Sequence, residues 1–295
     1  MDKIENLNRL NDVFFKSLLG TIDRKNLTLN FINSILGKDE HSYFVDIDFI
    51  DKELLPPVEG VKVPELDILA RLNDGTYVNI EVQVTKQKFY TKRSLYYWSR
   101  LYGYQLKRGR HYRKLVQTIA INLLDFDHLP YSEYHNCYHI TNDRNHERLT
   151  DDLEIHYIEL RKFNFSDYKK LKQADSWIAY FSPECTNKER EEIAMNNPAI
   201  KEALKHEMAF TKDDQQWFEY EEREKAIRDY NAIIEDNRYE AHAKGRQEGR
   251  QEGRQEEKYN NAIRFLKLGL DADFVAKGTG LTIEQVEQLK DKIQQ

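Results

Sequence analysis

The chain has 295 residues, of which 40% are hydrophobic and 33% charged, and its formal net charge is −6 at pH 7. That composition is typical of a globular, soluble protein with a core of normal size and a heavily charged surface. The start lacks the basic and apolar runs of a secretory signal, no stretch approaches the roughly 20 apolar residues of a membrane span, and two cysteines are too few for a disulfide scaffold. We therefore expect a cytoplasmic protein with no membrane contact.

The first half of the chain alternates predicted helices and strands. Helices are predicted at 12–20 and 26–37, because each run opens on an Asp or Asn suited to an N-cap and closes on Gly. Strand-like runs follow at 43–50, 65–72, 77–84 and 115–124, with a helical stretch at about 90–107 between the last two. This order predicts a mixed α/β core with a crossover helix, and residues 125–160 are predicted to extend its sheet.

The second half is predicted to be helical from about residue 166. Asn197 and Pro198 suit an N-cap and the first helical position, and a long charged helix is predicted from there towards Ala243. The sequence Gly-Arg-Gln-Glu then occurs three times over residues 245–256, which favours a linker. We therefore expect four regions: an α/β domain at 1–165, a helical region at 166–244, a linker at 245–257 and a small helical unit at 258–295.

The predicted unit at 258–295 has the order helix, short helix, turn, helix. Thr282 and Gln285 fit a capping box, and with a turn at Thr279-Gly280 the pattern is similar to a helix-turn-helix. Lys277 and Lys290 supply little charge for reading DNA, so a dimerisation or partner-binding module is at least as good an interpretation. We expect the protein to form a homodimer or a higher homo-oligomer.

A predicted β-hairpin at 65–84 brings polar residues together, and its turn decides which ones. A two-residue loop at Asp74-Gly75 would place Asp67 opposite Val82. A three-residue loop at 73–75, with Gly75 in the left-handed position, places Asp67 opposite Glu81 instead. The second register is favoured because it buries one wholly apolar face. That face would pair Leu66 with Val82, Ile68 with Ile80 and Ala70 with Val78.

The predicted pairing of Asp67 with Glu81 indicates a metal site. Directly opposed residues have Cβ atoms roughly 4.5–5.5 Å apart, and two carboxylates that close raise each other's pKa unless a cation lies between them. Magnesium prefers such oxygen ligands, and a water bound to it attacks phosphorus more readily. Gln83 lies one step along the same face. The alternative is a solvent-facing hairpin with ordinary exposed acids.

A basic stretch follows the hairpin directly. Residues 83–123 contain ten Lys and Arg and no Asp or Glu. Because phosphate contacts by Lys and Arg release counterions, this block indicates a bound polyanion, with a solvated helix face as the alternative. Spacing on the predicted helix gives one face on which Tyr could stack on an unpaired base. The candidates for nucleic-acid binding are Lys86, Lys88, Arg93, Tyr97, Arg100, Tyr104, Lys107 and Arg108, whereas Leu95, Trp98 and Leu101 are expected to be mostly core.

Five histidines lie between residues 128 and 156: His128, His135, His139, His146 and His156. Their spacing along the chain fits no tetrahedral zinc motif, so we predict structural roles for them.

Several motifs, taken in order, resemble the PD-(D/E)XK nuclease superfamily, and in particular a bacterial family of recombination-promoting nucleases or transposase-like proteins. The resemblance covers roughly the first 160 residues, and the ordered set is more specific than an isolated Asp followed by Glu-x-Gln would be. The matching pieces are NDVFFKSLLG, PELDILARL, VNIEVQV, KRSLYYWSRLYGYQLKRG, TIAINLLDF and LTDDLEIHYIEL.

The resemblance implies a restriction-endonuclease-like αβββαβ core, magnesium with manganese as an alternative, and hydrolysis of DNA in recombination, mobile elements or phage defence. It makes Asp67 and Glu81 metal ligands, and Asp12 a further acidic residue of the site unless it is simply an N-cap. Gln83 stands where the superfamily usually has Lys. Either Gln83 suffices, or Lys86 or Lys88 supplies the charge, or the enzyme is slow or inactive.

Two other functions therefore stay open beside a nuclease. One is a silent DNA-binding or regulatory relative, which the neutral side chain of Gln83 favours. The other is an oligomerising interaction protein whose tail makes the partner contacts.

Overall fold

The computed structural model describes residues 3–50, 66–106, 109, 111–164 and 171–294. The chain divides into two compact units, Met1–Ala226 and Ile227–Gln295. Lys107 and Arg108, two of the predicted nucleic-acid contacts, lie outside the described residues.

Two helices precede the sheet, as the sequence predicts. α1 spans Asp12–Leu19 and α2 spans Lys25–Ile35. Both predicted N-caps are wrong. Asn11 caps α1 by accepting the Val13 N–H at 2.9 Å, and α2 follows Arg24, whose side chain makes no capping bond. Asn and Asp are almost equally good caps, so the sequence alone does not choose between neighbours.

Six strands form one sheet in the order β1-β2-β3-β4-β6-β5. Their bounds are Ile47–Phe49 for β1, Ile68–Leu72 for β2, Tyr77–Gln83 for β3, Thr118–Leu124 for β4, His135–Tyr138 for β5 and Leu153–Glu159 for β6. β4 runs parallel to β3 and β6, and the other pairs are antiparallel. α3, Tyr90–Tyr104, makes the crossover that the parallel β3–β4 pair requires. The predicted αβββαβ core is confirmed, and β5 and β6 extend its sheet.

Apolar clusters lie on both faces of the sheet. On one face, residues of α1 and α2 pack with the apolar side of the β2–β3 hairpin in the main core. On the other face, Tyr97 and Leu101 of α3 pack on Leu69 of β2. Every residue of β4 is buried, as expected for a central parallel strand that is covered on both faces.

Helices follow the sheet in the first unit. α4 spans Gln173–Phe181 and α5 spans Asn187–Asn196. Both contribute to the main core, α4 through the fully buried Trp177 and α5 through Ile193. The hairpin is thus backed by helices from distant parts of the sequence, which makes it a rigid base for polar side chains.

The long helix predicted to start at Pro198 is two helices. Pro198 does begin a helix, and Asn197 caps it as predicted. This helix, α6, ends at Phe210, however, and α7 spans Asp214–Lys267. The break occurs because the Asp213 carboxylate accepts the backbone N–H groups of the first turn of α7, at 3.1 and 3.0 Å, and so starts a new helix.

The second unit contains the end of α7 with α8, Ala272–Thr279, and α9, Ile283–Gln294. The three Gly-Arg-Gln-Glu repeats are helical and lie within α7. The predicted capping box is present, since Thr282 and Gln285 exchange hydrogen bonds at 3.0 and 3.2 Å. A small core joins the three helices through Ala262, Val275, Ala276, Leu281 and Val286. Among the described helices of the whole chain, none combines the length and apolar character needed to cross a membrane.

Candidate active site

The hairpin turn is the three-residue loop that the sequence predicts. The Leu72 carbonyl accepts the Gly75 N–H at 2.9 Å, and the Leu72 N–H donates to the Thr76 carbonyl at 2.8 Å. Gly75 has φ +97°, a conformation that favours glycine. The strands pair Ile68 with Ile80 and Ala70 with Val78, so the predicted register is confirmed.

The side chain of Asp67 ends the backbone hydrogen-bond ladder between β2 and β3. Continuing the register would pair Leu66 with Val82 through backbone bonds, but the Val82 N–H donates instead to Asp67 Oδ2 at 2.9 Å. Leu66 therefore leaves the strand and packs with Leu69 and Tyr97 on the α3 side. The prediction that Leu66 faces Val82 on the apolar face is wrong for this reason.

Glu81 lies beside Asp67 in a closely packed setting. Glu81 Oε1 accepts the Asp67 N–H at 3.2 Å and the side-chain amide of Asn79 at 3.1 Å. The two acidic side chains are only 14% exposed for Asp67 and 6% exposed for Glu81. Burial, and next the negative charge of Asp67, raise the pKa of Glu81 to about 8. An ionised Glu81 therefore needs a positive charge nearby.

Lys16 joins two acidic residues from different elements. Its Nζ lies 3.1 Å from Asp67 Oδ1 and 3.0 Å from Asp12 Oδ2, and Arg223 Nε lies 2.6 Å from Asp12 Oδ1. Burial opposes the ionisation of Asp12, but Lys16 and Arg223 outweigh burial and lower the pKa of Asp12. Asn11, and not Asp12, caps the helix. The Asp12 carboxylate is therefore available to pair with Lys16, which also contacts Asp67.

Gln83 and Glu81 share a cation, Arg93. The Arg93 guanidinium donates to Gln83 Oε1 at 3.0 Å and lies 3.7 Å from Glu81 Oε2. It also lies over the Tyr97 ring, 5.0 Å from its centroid. Arg93 thus places a positive charge beside the position where the superfamily usually has Lys. The sequence signal was its place on the predicted helix face, interpreted only as DNA binding.

Lys86 and Lys88 point elsewhere. Lys86 Nζ donates to the Asp127 carbonyl at 2.6 Å, and Lys88 Nζ lies 5.5 Å from the centroid of the Phe89 ring. Among the described residues, neither forms an ion pair with Asp67 or Glu81. The cations at the two carboxylates are instead Lys16 and Arg93.

The predicted nucleic-acid face of α3 faces the protein. Tyr97 is 6% exposed, and the half-buried Tyr104 packs against the same apolar cluster as Tyr97, so base stacking by these rings stays a prediction. Arg100 is half-buried. Leu95, predicted to be core, is 44% exposed, whereas Leu101 is buried as predicted. The helix is rotated so that Arg93 reaches Gln83 and Glu81 while Tyr97 packs on Leu69.

The donor set suits a hard divalent cation. Asp67 and Glu81 offer carboxylate oxygens on neighbouring strands, and among the described residues the buried Oδ1 of Asn79 accepts no hydrogen bond. Magnesium is commonly held by one or two carboxylates together with waters. In the described part of the chain, the donor atoms of Cys137, Glu154 and His156 lie within 4.8 Å of one another. Asp12, Asp67 and Glu81 do not form such a group of three.

A family model matches most of the chain. The family model described as PD-(D/E)XK nuclease family transposase matches residues 9–237 of the 295. That range includes α1, the hairpin, α3 and the helical region of the first unit. No curated protein and no solved structure matches the chain.

Proposed function

The chain belongs to the PD-(D/E)XK nuclease family transposases, and we propose that it is a magnesium-dependent endonuclease that hydrolyses DNA phosphodiester bonds. The observation that carries this proposal is the pair formed by the nearly buried Asp67 and the buried Glu81, which the hairpin places side by side and which face the cations Lys16 and Arg93. Buried like charges are costly, and a fold retains them where they bind a cation. Recombination, mobile elements and phage defence are the settings in which such an enzyme would act.

Asp67 and Glu81 would be the metal ligands, with Mn²⁺ able to replace Mg²⁺. The bound ion would lower the pKa of a coordinated water and offset the charge that develops on the phosphate. Asp67 Oδ2 is held by the Val82 N–H and Glu81 Oε1 by two donors, so each carboxylate is oriented by one oxygen. The other oxygen of each faces a cation, Lys16 or Arg93.

Arg93 and Gln83 would share the role that a single Lys has elsewhere in the superfamily. The Gln83 amide can orient a water molecule, and the Arg93 guanidinium supplies the positive charge that Gln83 lacks. Lys16, held between Asp12 and Asp67, would add a positive charge for the DNA phosphate.

The partner would be DNA. Lys86, Lys88 and Lys92 are exposed at the start of α3, next to the strand that carries Glu81. Exposed lysines that follow the strand carrying Glu81 suit phosphate contacts without base recognition. Lys107 and Arg108, which lie outside the described residues, stay predicted nucleic-acid contacts.

Nicking of supercoiled plasmid DNA tests the proposal. The wild-type chain should nick in magnesium or manganese, and Asp67→Asn and Glu81→Gln should each lower the rate by at least about 1,000-fold, because each leaves one carboxylate without its partner at the ion. Asp143→Asn, an exposed aspartate in the loop before β6, is the matched control and should nick normally. A protein that binds DNA and never cuts it would instead be a silent relative.

A further inference from the structure

A second cluster of metal-binding side chains lies at the sheet edge formed by β5. Cys137 on β5 pairs directly with His156 on β6. Glu154 lies two residues before His156, so strand alternation puts it on the same face. The donor atoms of Cys137, Glu154 and His156 all lie within 4.8 Å of one another. β3, which carries Glu81, is separated from β5 by β4 and β6, so this cluster is distinct from the proposed active site.

Two distances from the Cys137 thiol lie close to the separation of two ligands around a tetrahedral ion. Cys137 Sγ lies 3.7 Å from His156 Nε2 and 3.2 Å from His139 Nε2. Zinc bonds of about 2.3 Å to sulfur and about 2.0 Å to nitrogen, at a tetrahedral angle, hold the two ligand atoms about 3.5 Å apart. Glu154 Oε1 lies 2.7 Å from His156 Nε2, a contact that a shared ion would replace with two coordinate bonds.

Three of these side chains, His139, His156 and Glu154, are each held by a second contact on the far side. His139 Nδ1 lies 3.1 Å from the Leu153 carbonyl, which leaves Nε2 on the side of the thiol. His156 Nδ1 lies 2.9 Å from His135 Nε2. Glu154 Oε2 accepts the Gln117 amide at 3.0 Å. Metal-binding histidines and carboxylates characteristically have such outer partners, which fix the ring orientation and the tautomer.

We propose that Cys137, Glu154 and His156 bind a zinc ion that ties the edge strand β5 to β6, with His139, whose Nε2 lies beside the Cys137 thiol, as the fourth ligand. A thiolate and imidazoles select zinc over magnesium, which prefers oxygen ligands. β5 lies in the connection between β4 and β6, is only four residues long and pairs with β6. The ion would fix this connection to the sheet. Spacing along the chain conceals the site, because strand pairing brings together ligands from either side of a loop.

Cobalt spectroscopy on the full chain tests the site, because Co²⁺ replaces zinc and a bound thiolate gives an intense charge-transfer absorption. We expect one Co²⁺ per chain with this absorption, displaced by one equivalent of Zn²⁺. Cys137→Ser should remove it. Cys185→Ser should leave it unchanged, because Cys185 is the other free cysteine of the chain and is buried away from β5. A wild-type titration without the thiolate absorption, or the same absorption in Cys137→Ser, would overturn the proposal.

Two further variants separate this site from the proposed nuclease and from a simple loss of folding. Asp67→Asn should keep the thiolate absorption, because Asp67 belongs to the other site. His135→Phe should keep the absorption and weaken zinc binding by about 10- to 100-fold, as expected when an outer partner of a ligand is removed. Unchanged zinc affinity in His135→Phe together with loss of the absorption in Asp67→Asn would place the metal elsewhere and contradict the assignment.

Discussion

Arg93 holds two groups of the proposed reaction, because one guanidinium reaches both Gln83 and Glu81. We predict that Arg93→Ala lowers the nicking rate at saturating DNA by about 100- to 1,000-fold, the range for loss of one preorganised donor. Arg93→Lys keeps the charge and loses the planar fork, so its rate should fall less than that of Arg93→Ala. The exposed Arg144→Ala is the control. Equal rates in Arg93→Ala and in the control would remove Arg93 from the reaction.

His206 makes the stability of the first unit sensitive to acid. Its ring stacks on Phe14 with centroids 5.9 Å apart, and its Nε2 lies 3.0 Å from Ser17 Oγ. Burial, and next the charge of Arg24, lower the pKa of His206 to about 4. The unfolded chain, with a His pKa of about 6.5, therefore binds the proton more tightly, so this stability is present above about pH 6.5 and is lost as the pH falls towards 4.

The corresponding test compares thermal unfolding of the wild type and His206→Gln between pH 4.5 and 7.5. The melting temperature of the wild type should fall more steeply with acid than that of His206→Gln, which has no titrating ring. Parallel curves would mean that His206 does not contribute to the acid sensitivity.

At the scale of elements, the hairpin turn sets the register that brings Asp67 to Glu81. Gly75 has φ +97°, so Gly75→Ala should destabilise the chain by about 1–2 kcal/mol. Gly103 lies within α3, and a Cβ there would meet nothing within 4 Å, so Gly103→Ala should stabilise by up to about 1 kcal/mol. Urea unfolding of the two variants checks the opposite signs. A Gly75→Ala chain as stable as the wild type would contradict the role of the turn.

The hairpin was predictable because alternating apolar residues and the Asn-Asp-Gly loop favour one register. The sequence did not reveal where the ladder ends, since that depends on Asp67 accepting a backbone N–H. It also left the rotation of α3 undetermined, because aromatic residues occur on several sides of that helix. The sequence places Lys16 one helical turn from Asp12. Its contact with Asp67 depends on the packing of α1 against the hairpin. The Cys137 cluster was missed because its members meet across strands.

At the scale of the whole molecule, one stretch of the chain stands out by its charge. The net charge is −6, yet residues 83–123 carry only basic charges, so this stretch would attract DNA more strongly than the rest of the chain. Homo-oligomer formation through the helical tail stays a prediction. The tail does have a core of its own within the second unit, as a partner-binding module requires.

The most direct measurement of the central claim is Mn²⁺ binding to the full chain, followed by electron paramagnetic resonance. If Asp67 and Glu81 hold one catalytic ion together, the wild type and Asp143→Asn should bind Mn²⁺ with the same affinity. Asp67→Asn and Glu81→Gln should each weaken that binding at least about 10-fold, with Mg²⁺ competing for the site. Mn²⁺ affinity that is the same in all four proteins would contradict the account.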